Sequence, residues 1–200
     1  MRQEEGGIES AAGTDFKGMD GKPPALVLVL GGARSGKSAF AERLARASGL
    51  ARTYIATAEA FDAEMEARIA RHRADRGEDW CTVDAPLELA ETVRSETGSG
   101  AVVLVDCLTL WLSNVMLAGR PVEAAIDDVV AAMVSAAGPL IAVSNEVGLG
   151  LVPETPLGRA FRDAQGRLNR LVAEVASDVV FVAAGRPLRL KPAPDVEIAW

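Results

Sequence analysis

From Ala25 onward, two hydrophobic patterns alternate along the chain. Short apolar runs, typical of strands buried on both faces of a sheet, alternate with longer stretches in which apolar residues recur every three or four positions, as on one face of a helix. The alternation predicts an α/β fold with a mostly parallel central sheet and helices on both faces. The predicted strands span 25–30, 53–57, 80–84 (an edge strand), 101–106, 140–143 and 179–182. The predicted helices span 62–76, 86–97, 108–117, 122–137 and about 157–176, and another runs through Phe40 and Leu44 to Gly49.

The two ends of the chain lack this periodicity. Residues 1–24 are rich in Gly, Asp, Glu and Lys, contain only scattered apolar residues and end in Pro23-Pro24. Such a segment has too little apolar surface to offset the entropy of ordering, so we predict a flexible leader. We expect a single domain over residues 25–191 and a loose tail over 192–200.

The segment between the first strand and the first helix fits the phosphate-binding pattern G-x-x-x-x-G-K-[ST]. It consists of Gly31, Gly32, Ala33, Arg34, Ser35, Gly36, Lys37 and Ser38. Glycines let the backbone wrap an anion, so that amide N–H groups and the helix N-terminus point at phosphates. In such a P-loop, Lys37 would reach the β- and γ-phosphates and the Ser38 hydroxyl would bind Mg²⁺. A chance match in a glycine-rich turn is the alternative, but the flanking strand and helix stand in the order that nucleotide binding requires.

Asp106 ends an apolar strand well downstream of the P-loop. P-loop proteins place an acidic residue there, which holds Mg²⁺ or its bound water opposite the Ser38 position. An Asp after a strand is, by itself, more often a turn former or a helix cap. The P-loop upstream favours the metal-binding interpretation.

The segment 68–76 concentrates positive charge in an acidic chain. It contains four arginines and the only histidine, His72. A charge run usually marks a solvated helix face, but Met65, Ile69 and His72 share one helical stripe, which places His72 with the buried face. A core histidine is one interpretation. The other is a nucleophile, because neighbouring cations keep an imidazole neutral and would also attract a triphosphate.

The strand 140–143 runs into a polar, glycine-punctuated loop that contains Asn145 and Glu146. Ligands of open parallel sheets bind beyond the carboxyl ends of the strands. The P-loop, Thr57, Asp106 and Asn145-Glu146 all fall at such ends. Asn145 and Glu146 are therefore candidates for binding the acceptor substrate or serving as its general base. A polar loop that caps the next helix is the alternative.

Composition and charge narrow the classes of protein that fit. The chain has 200 residues, of which 49% are apolar and 24% charged, as is ordinary for a globular protein. A net charge of −7 argues against a general nucleic-acid binder, and no apolar run is long enough for membrane insertion. Cys81 and Cys107 form no disulfide framework and no apolar signal segment opens the chain, so we expect reduced thiols and a cytoplasmic location.

Six segments of the chain form motifs in one order. They are Gly31–Ser38, Tyr54–Thr57, Asp62–Arg73, Ser144–Gly148, Val152–Glu154 and Phe161–Asn169. Together they resemble the bifunctional adenosylcobinamide kinase/adenosylcobinamide-phosphate guanylyltransferase family of cobalamin biosynthesis. The resemblance covers essentially residues 25–191, and the number of separate motifs makes it specific.

The resemblance implies two reactions on one P-loop NTPase domain of RecA-like fold. ATP or GTP first phosphorylates the hydroxyl of adenosylcobinamide. GMP then passes from GTP, through a histidine, to adenosylcobinamide phosphate, with release of pyrophosphate. By motif position that histidine is His72, and the family implies a homo-oligomer, a trimer with sites between subunits. The nucleotide contacts that the family implies, besides the P-loop, are Thr57, Ala58, Glu59, Arg73, Ala74, Asp75, Arg76, Asp84 and Asp106.

Two positions depart from the family pattern. Asp106 stands where members can carry Glu, and Arg71-His72 stands where some carry a histidine pair, which leaves one candidate nucleophile. A P-loop kinase of a small metabolite, with a structural His72, is a rival interpretation. A GTP-dependent switch is disfavoured, because the chain lacks the N/T-K-x-D loop with which such proteins read guanine.

Overall fold

A computed structural model of the chain describes residues 26–59, 77, 79–98 and 100–192. The strands in this part of the chain are β1 Leu26–Gly31, β2 Ala51–Ala56, β3 Cys81–Asp84, β4 Ala101–Asp106, β5 Leu140–Asn145, β6 Asp178–Ala183 and β7 Arg186–Lys191. The helices are α1 Lys37–Ala47, α2 Leu89–Glu96, α3 Leu108–Leu117, α4 Val122–Val134 and α5 Pro156–Val175. Every predicted element within these residues is present, with ends that shift by a few residues. The predicted helix 62–76 lies outside them.

The strands form one sheet in the order β3-β2-β4-β5-β1-β6-β7. All neighbouring pairs are parallel except β6 and β7, which are antiparallel. The predicted mostly parallel α/β fold is therefore confirmed. The strand β3 lies at an edge, as its weakly apolar sequence predicts.

Both faces of the sheet are buried, because successive side chains of a strand point to opposite faces. On one face, Leu28 of β1 belongs to a core formed with helices α2 to α5. On the other face, Val29 packs in a second core with Phe40 and Ala45 of α1. The continuous apolar run of β1 is the consequence of this double burial. None of the helices in the described residues is long and apolar enough to cross a membrane.

The sequence pattern does not predict β7. Its residues include Pro187 and are mostly exposed, so the strand has no buried apolar run, and its apolar/charged alternation is confined to Leu188–Lys191. It pairs with β6 across a two-residue turn, Ala184-Gly185. The described residues therefore end in a hairpin, where the sequence suggested only the approach to a loose tail.

The carboxyl ends of the six parallel strands, β1 to β6, meet at one edge of the sheet. Gly31 at the end of β1 is in register with Asn145 of β5. Ala56 at the end of β2 is in register with Asp106 of β4 and with Asp84 of β3. The sheet thus gathers the loops that the sequence singles out, although they are far apart in the chain.

Candidate active site

The P-loop between β1 and α1 contains residues in the left-handed region of backbone conformation. Arg34 has a φ of +56°, and Gly36, which precedes α1, has a φ of +94°. The amide of Ser35 donates to the carbonyl of Gly32 at 3.3 Å, which closes a turn within the loop. No described side chain caps the first turn of α1, and that turn contains no acidic residue. Its N–H groups are therefore suited to an anion at the positive end of the helix dipole.

Two glycines of the P-loop are required by its packing. A Cβ on Gly31 would lie 2.5 Å from both the Ser35 Oγ and the Val182 carbonyl oxygen. A Cβ on Gly36 would lie 3.2 Å from the Cα of Gly185, in a backbone conformation that side chains rarely adopt. The first and sixth positions of the phosphate-binding pattern thus have a steric reason to be glycine in this protein.

The hairpin of β6 and β7 contacts the P-loop directly. Its two-residue turn has positive φ at Ala184 (+49°) and Gly185 (+73°), as a type I′ turn requires. The amide of Gly185 donates to the carbonyl of Ser35 at 2.8 Å. The apolar β6 followed by Gly185, and then by alternating Leu188 and Leu190, is the sequence signal that could have indicated this hairpin.

Lys37, the first residue of α1, folds back over the P-loop. Its Nζ donates to the Gly32 carbonyl at 3.2 Å, and the residue is only 8% exposed. The ammonium is therefore held at the mouth of the loop, where a triphosphate would lie.

Cys107 lies directly after the end of β4, close to Lys37 and Asp106. Burial, and then the negative charge of Asp106, raise the pKa of the Cys107 thiol to about 11, while the charge of Lys37 acts in the opposite direction. The thiol is neutral at physiological pH, and a neutral thiol is a poor nucleophile. Cys107 is therefore a poor candidate for the nucleophile of covalent catalysis.

Asp106 and Ser38 provide the oxygen atoms that a magnesium site would use. Both residues are half-buried, and no described side chain forms an ion pair or hydrogen bond with the Asp106 carboxylate. No cluster of three or more His, Cys, Asp or Glu exists among the described residues. A cation here would need further ligands from phosphate oxygens and water, which is the usual arrangement for Mg²⁺ in phosphoryl-transfer sites. The residues present fit that ion.

Thr57 is placed at the predicted edge, but its side chain is fully buried. Its hydroxyl donates to the Cys107 carbonyl at 2.7 Å and accepts from the Cys107 amide at 2.7 Å. The Thr57 carbonyl in turn accepts from the Nδ2 of Asn114 at 2.8 Å. Because these bonds engage the hydroxyl, the observed contribution of Thr57 is to tie the loop after β2 to the end of β4.

Three of the remaining nucleotide contacts predicted from the family lie at the carboxyl ends of β2 and β3. Ala58 is half-buried, Glu59 is exposed, and Asp84 is exposed at the end of the edge strand β3. The predicted nucleophile and its basic neighbours lie outside the described residues. These are His72, Arg73, Ala74, Asp75 and Arg76.

Asn145 and Glu146 lie beside the P-loop. The Glu146 amide donates to the Gly31 carbonyl at 3.2 Å, and the Glu146 carboxylate accepts from the Gly148 amide at 2.6 Å. The Oδ1 of Asn145 is buried and has no hydrogen-bond partner among the described residues. The next helix, α5, is capped by another residue, because Thr155 Oγ1 accepts from the Gly158 amide at 3.1 Å. The capping alternative for Asn145 and Glu146 is therefore wrong.

Several buried polar residues at this edge have no role predicted from the sequence, although three of them lie within the motifs Ser144–Gly148 and Phe161–Asn169. They are Thr109, Asn114, Ser144, Gln165 and Asn169. Gln165 and Asn169 lie four residues apart on the buried stripe of α5, next to Leu168 and Val172. Polar residues on an otherwise apolar stripe are the signal that could have found them.

A phosphate-binding loop between β1 and α1, with a carboxylate at the end of β4 facing the same edge of a mostly parallel sheet, defines a P-loop nucleotide-binding protein. The sequence places the chain more narrowly. It belongs to the cobinamide kinase / cobinamide phosphate guanyltransferase family, whose sequence pattern matches residues 27–190. The family resemblance inferred from the motifs is thus confirmed.

Two relatives are similar to the chain over nearly their whole length. The bifunctional adenosylcobalamin biosynthesis protein CobP of Pseudomonas aeruginosa is 50% identical over 169 residues, which cover 84% of this chain and 98% of that protein. The corresponding protein CobU of Escherichia coli is 36% identical over 181 residues, covering 83% and 99%. Among solved structures, the flagellar accessory protein FlaH of Methanocaldococcus jannaschii has a TM-score of 0.47 at 14% identity, with 84% of this chain and 75% of that chain covered.

Proposed function

We propose that the protein phosphorylates the hydroxyl of adenosylcobinamide with ATP or GTP and then transfers GMP from GTP to the resulting phosphate. The observation that carries this proposal is the position of Asn145 and Glu146 directly beside the P-loop, with Gly31 and Asn145 in register and the Glu146 amide bonded to Gly31. An acceptor held by that loop would lie next to the terminal phosphate of a bound nucleotide. Family membership supports the same pair of reactions.

In the kinase step, the hydroxyl oxygen of the acceptor attacks the γ-phosphorus. The bond from that phosphorus to the β,γ-bridging oxygen breaks, and the nucleoside diphosphate leaves. Glu146 takes the hydroxyl proton as general base. Lys37 and the amides of the P-loop stabilise the charge that develops on the phosphate oxygens. These groups are fixed before the reaction, so little reorganisation is needed.

Ser38 and Asp106 would hold Mg²⁺ together with phosphate oxygens. When bound, the ion neutralises phosphate charge. Ser38 supplies its hydroxyl from the first turn of α1, and Asp106 supplies its carboxylate from the end of β4. With the ion bound, the two residues would hold it between the start of α1 and the end of β4, next to the P-loop.

In the guanylyl step, we assign the nucleophile to His72. A nitrogen of the imidazole attacks the α-phosphorus of GTP, the bond to the α,β-bridging oxygen breaks, and pyrophosphate leaves. A phosphate oxygen of adenosylcobinamide phosphate then attacks the same phosphorus and releases the histidine. The raised pKa of the Cys107 thiol makes that residue a poor alternative to histidine in this role. The proposed nucleotide contacts outside the P-loop are Thr57, Ala58, Glu59, Arg73, Ala74, Asp75, Arg76, Asp84 and Asp106.

The same proposal includes a single catalytic domain over residues 25–191, a homotrimeric assembly and a cytoplasmic location. The assembly rests on the family resemblance alone. The location is supported by the cysteines, because Cys81 and Cys107 are both free.

The decisive experiment is incubation with α-labelled GTP in the absence of any corrinoid. The wild-type protein should become labelled through an acid-labile, base-stable phosphoramidate and release pyrophosphate. His72→Asn keeps a polar group of similar size without the nucleophile, so it should lose the label and retain phosphorylation of adenosylcobinamide. Lys37→Ala should lose phosphorylation by several orders of magnitude, because Lys37 stabilises charge on the transferred phosphate.

Two results would contradict the proposal. Label retained by His72→Asn would move the nucleophile to another residue. An unlabelled wild-type protein that still phosphorylates adenosylcobinamide would leave a plain P-loop kinase with a structural His72.

A further inference from the structure

A cluster of buried polar side chains lies beneath the carboxyl end of β5, between the sheet and helices α3 and α5. We call Thr109, Ser144, Gln165 and Asn169 the Asn169 cluster. Ser144 and Gln165 are fully buried, Asn169 is 5% exposed and Thr109 is 7% exposed. Burying polar groups costs free energy unless they are hydrogen-bonded, so such a cluster in an apolar core calls for a physical reason.

The hydrogen bonds of the cluster determine the orientation of the Asn169 amide. The Nε2 of Gln165 donates to Asn169 Oδ1 at 2.9 Å and to Ser144 Oγ at 3.0 Å. The Ser144 hydroxyl donates to the same Asn169 Oδ1 at 2.6 Å. Because Oδ1 accepts two hydrogen bonds, the Nδ2 side of Asn169 must face the other way. That Nδ2 donates to the carbonyl of Asn145 at 3.0 Å.

The cluster therefore holds the backbone of the acceptor loop from two sides. Thr109 Oγ1, on α3, accepts from the Asn145 amide at 2.8 Å, and Asn169, on α5, donates to the Asn145 carbonyl. The following amide, that of Glu146, donates to Gly31 at the start of the P-loop. Three consecutive backbone groups are thus tied to two helices and to the strand that carries the phosphate-binding loop.

The side chains on this backbone are the ones assigned to the acceptor. Asn145 Oδ1 is buried without a partner among the described residues, and the Glu146 carboxylate is oriented by the amide of Gly148. A shift of the peptide between Asn145 and Glu146 would move both side chains relative to the P-loop. Misplacement by about 1 Å costs reactions of this kind on the order of 100-fold in rate.

We propose that Asn169 is a positioning residue of the kinase site, which acts through the Asn145 carbonyl to hold Asn145 and Glu146 against the P-loop. This inference rests on the proposed role of Asn145 and Glu146 toward the acceptor. It assigns to the Asn169 cluster the function of holding Asn145 and Glu146 at a fixed position relative to the P-loop.

The test uses Asn169→Asp, which keeps the size of the side chain and the accepting oxygen but replaces the donating Nδ2. We expect kcat for adenosylcobinamide phosphorylation to fall by about 10-fold or more, with a nearly unchanged KM for the nucleotide. Labelling of the protein by α-labelled GTP needs no acceptor, so its rate should stay near that of the wild type. Thr109→Val releases the Asn145 amide from the other side and should give the same pattern if Asn169→Asp does not fold.

The matched control is Thr97→Val at the end of α2, away from this edge. Thr97 is also buried, and its hydroxyl donates to the Val93 carbonyl at 2.7 Å. It should lower stability by a similar amount and leave all rates per folded molecule unchanged. A folded Asn169→Asp with wild-type kcat would overturn the inference, as would equal losses of phosphorylation and labelling. A wild-type protein without phosphorylation would instead refute the proposed function, so the two failures are distinguishable.

Discussion

The Glu146 carboxylate lies directly against the backbone of Gly148. Its Oε1 accepts from the Gly148 amide at 2.6 Å, and a Cβ on Gly148 would lie 2.8 Å from that same atom. A glycine at position 148 therefore lets the backbone amide approach and orient the carboxylate. The position of Glu146, the proposed general base, thus depends on a glycine at position 148.

We predict that Gly148→Ala slows phosphorylation of adenosylcobinamide while the fold is kept. The added methyl group must displace the carboxylate, and displacement of a general base should lower kcat by about 10-fold or more. Because the displaced atom is the end of a flexible side chain, the melting temperature should change by no more than a few degrees, equivalent to about 1 kcal/mol. Steady-state kinetics and thermal denaturation measure the two effects.

The same loop offers the control. Gly150 has open space around its Cα, and neither Gly148 nor Gly150 has the positive φ that would strain an alanine. Gly150→Ala should therefore behave as the wild type in both measurements. Equal slowing by both variants would point to the mobility of the loop rather than to the position of Glu146.

Among the elements, the β6–β7 hairpin supports the P-loop, although the residues of β7 are mostly exposed. Its tip donates a hydrogen bond to the P-loop through Gly185, and the Cα of Gly185 packs close to Gly36. The P-loop is thus bonded on one side to Glu146, which follows the neighbouring strand β5. On the other side it is bonded to a turn about 150 residues later in the chain.

We predict that Gly185→Ala weakens nucleotide binding as well as stability. Gly185 has a φ of +73°, where an alanine costs about 1 kcal/mol, and relaxation of the turn would draw its amide away from Ser35. The matched variant is Ala184→Asn, because Asn-Gly is the preferred type I′ sequence and should stabilise the hairpin by several tenths of a kcal/mol. Titration with a fluorescent nucleotide and thermal denaturation measure both. Wild-type nucleotide affinity in a destabilised Gly185→Ala would show that the P-loop does not depend on the hairpin.

For the whole molecule, the family pattern and the sheet occupy nearly the same residues. The match to the family covers residues 27–190, and the strands run from Leu26 to Lys191. The proposed single domain over 25–191 would therefore contain all groups assigned to both reactions.

We predict that deletion of residues 1–24 leaves both reactions at the wild-type rate. The segment precedes β1 and lies outside the family match, and its composition provides little apolar surface for packing. Turnover for phosphorylation and for guanylyl transfer should be compared in the full and shortened chains at equal concentrations of folded protein. A large loss of either turnover would show that the leader contributes to the site.

Local patterns in the sequence determined most of the elements and the phosphate side of the site. The apolar run of β1, the glycine pattern and the periodicity of α1 are short-range signals, because each reflects the burial or backbone freedom of neighbouring residues. Asp106 and Asn145 could be assigned to one edge for a related reason, since each ends an apolar strand and parallel strands end together. The assignment of His72 came from its motif and remains a prediction.

Only the tertiary structure decided how that edge is held together. Asn169 meets Asn145 across 24 residues of sequence, and Asn114 meets Thr57 across 57. Neither pair leaves a periodic trace, because a hydrogen bond between buried polar groups depends on the packing of helices against the sheet. The same holds for Thr57, whose hydroxyl is used by the backbone of Cys107, and for β7, whose strand conformation depends on pairing with β6 rather than on its own apolar content. The pattern of apolar and polar residues along the sequence predicts which side chains are buried. The hydrogen-bond partner of a buried polar group is decided only when distant segments fold onto one another.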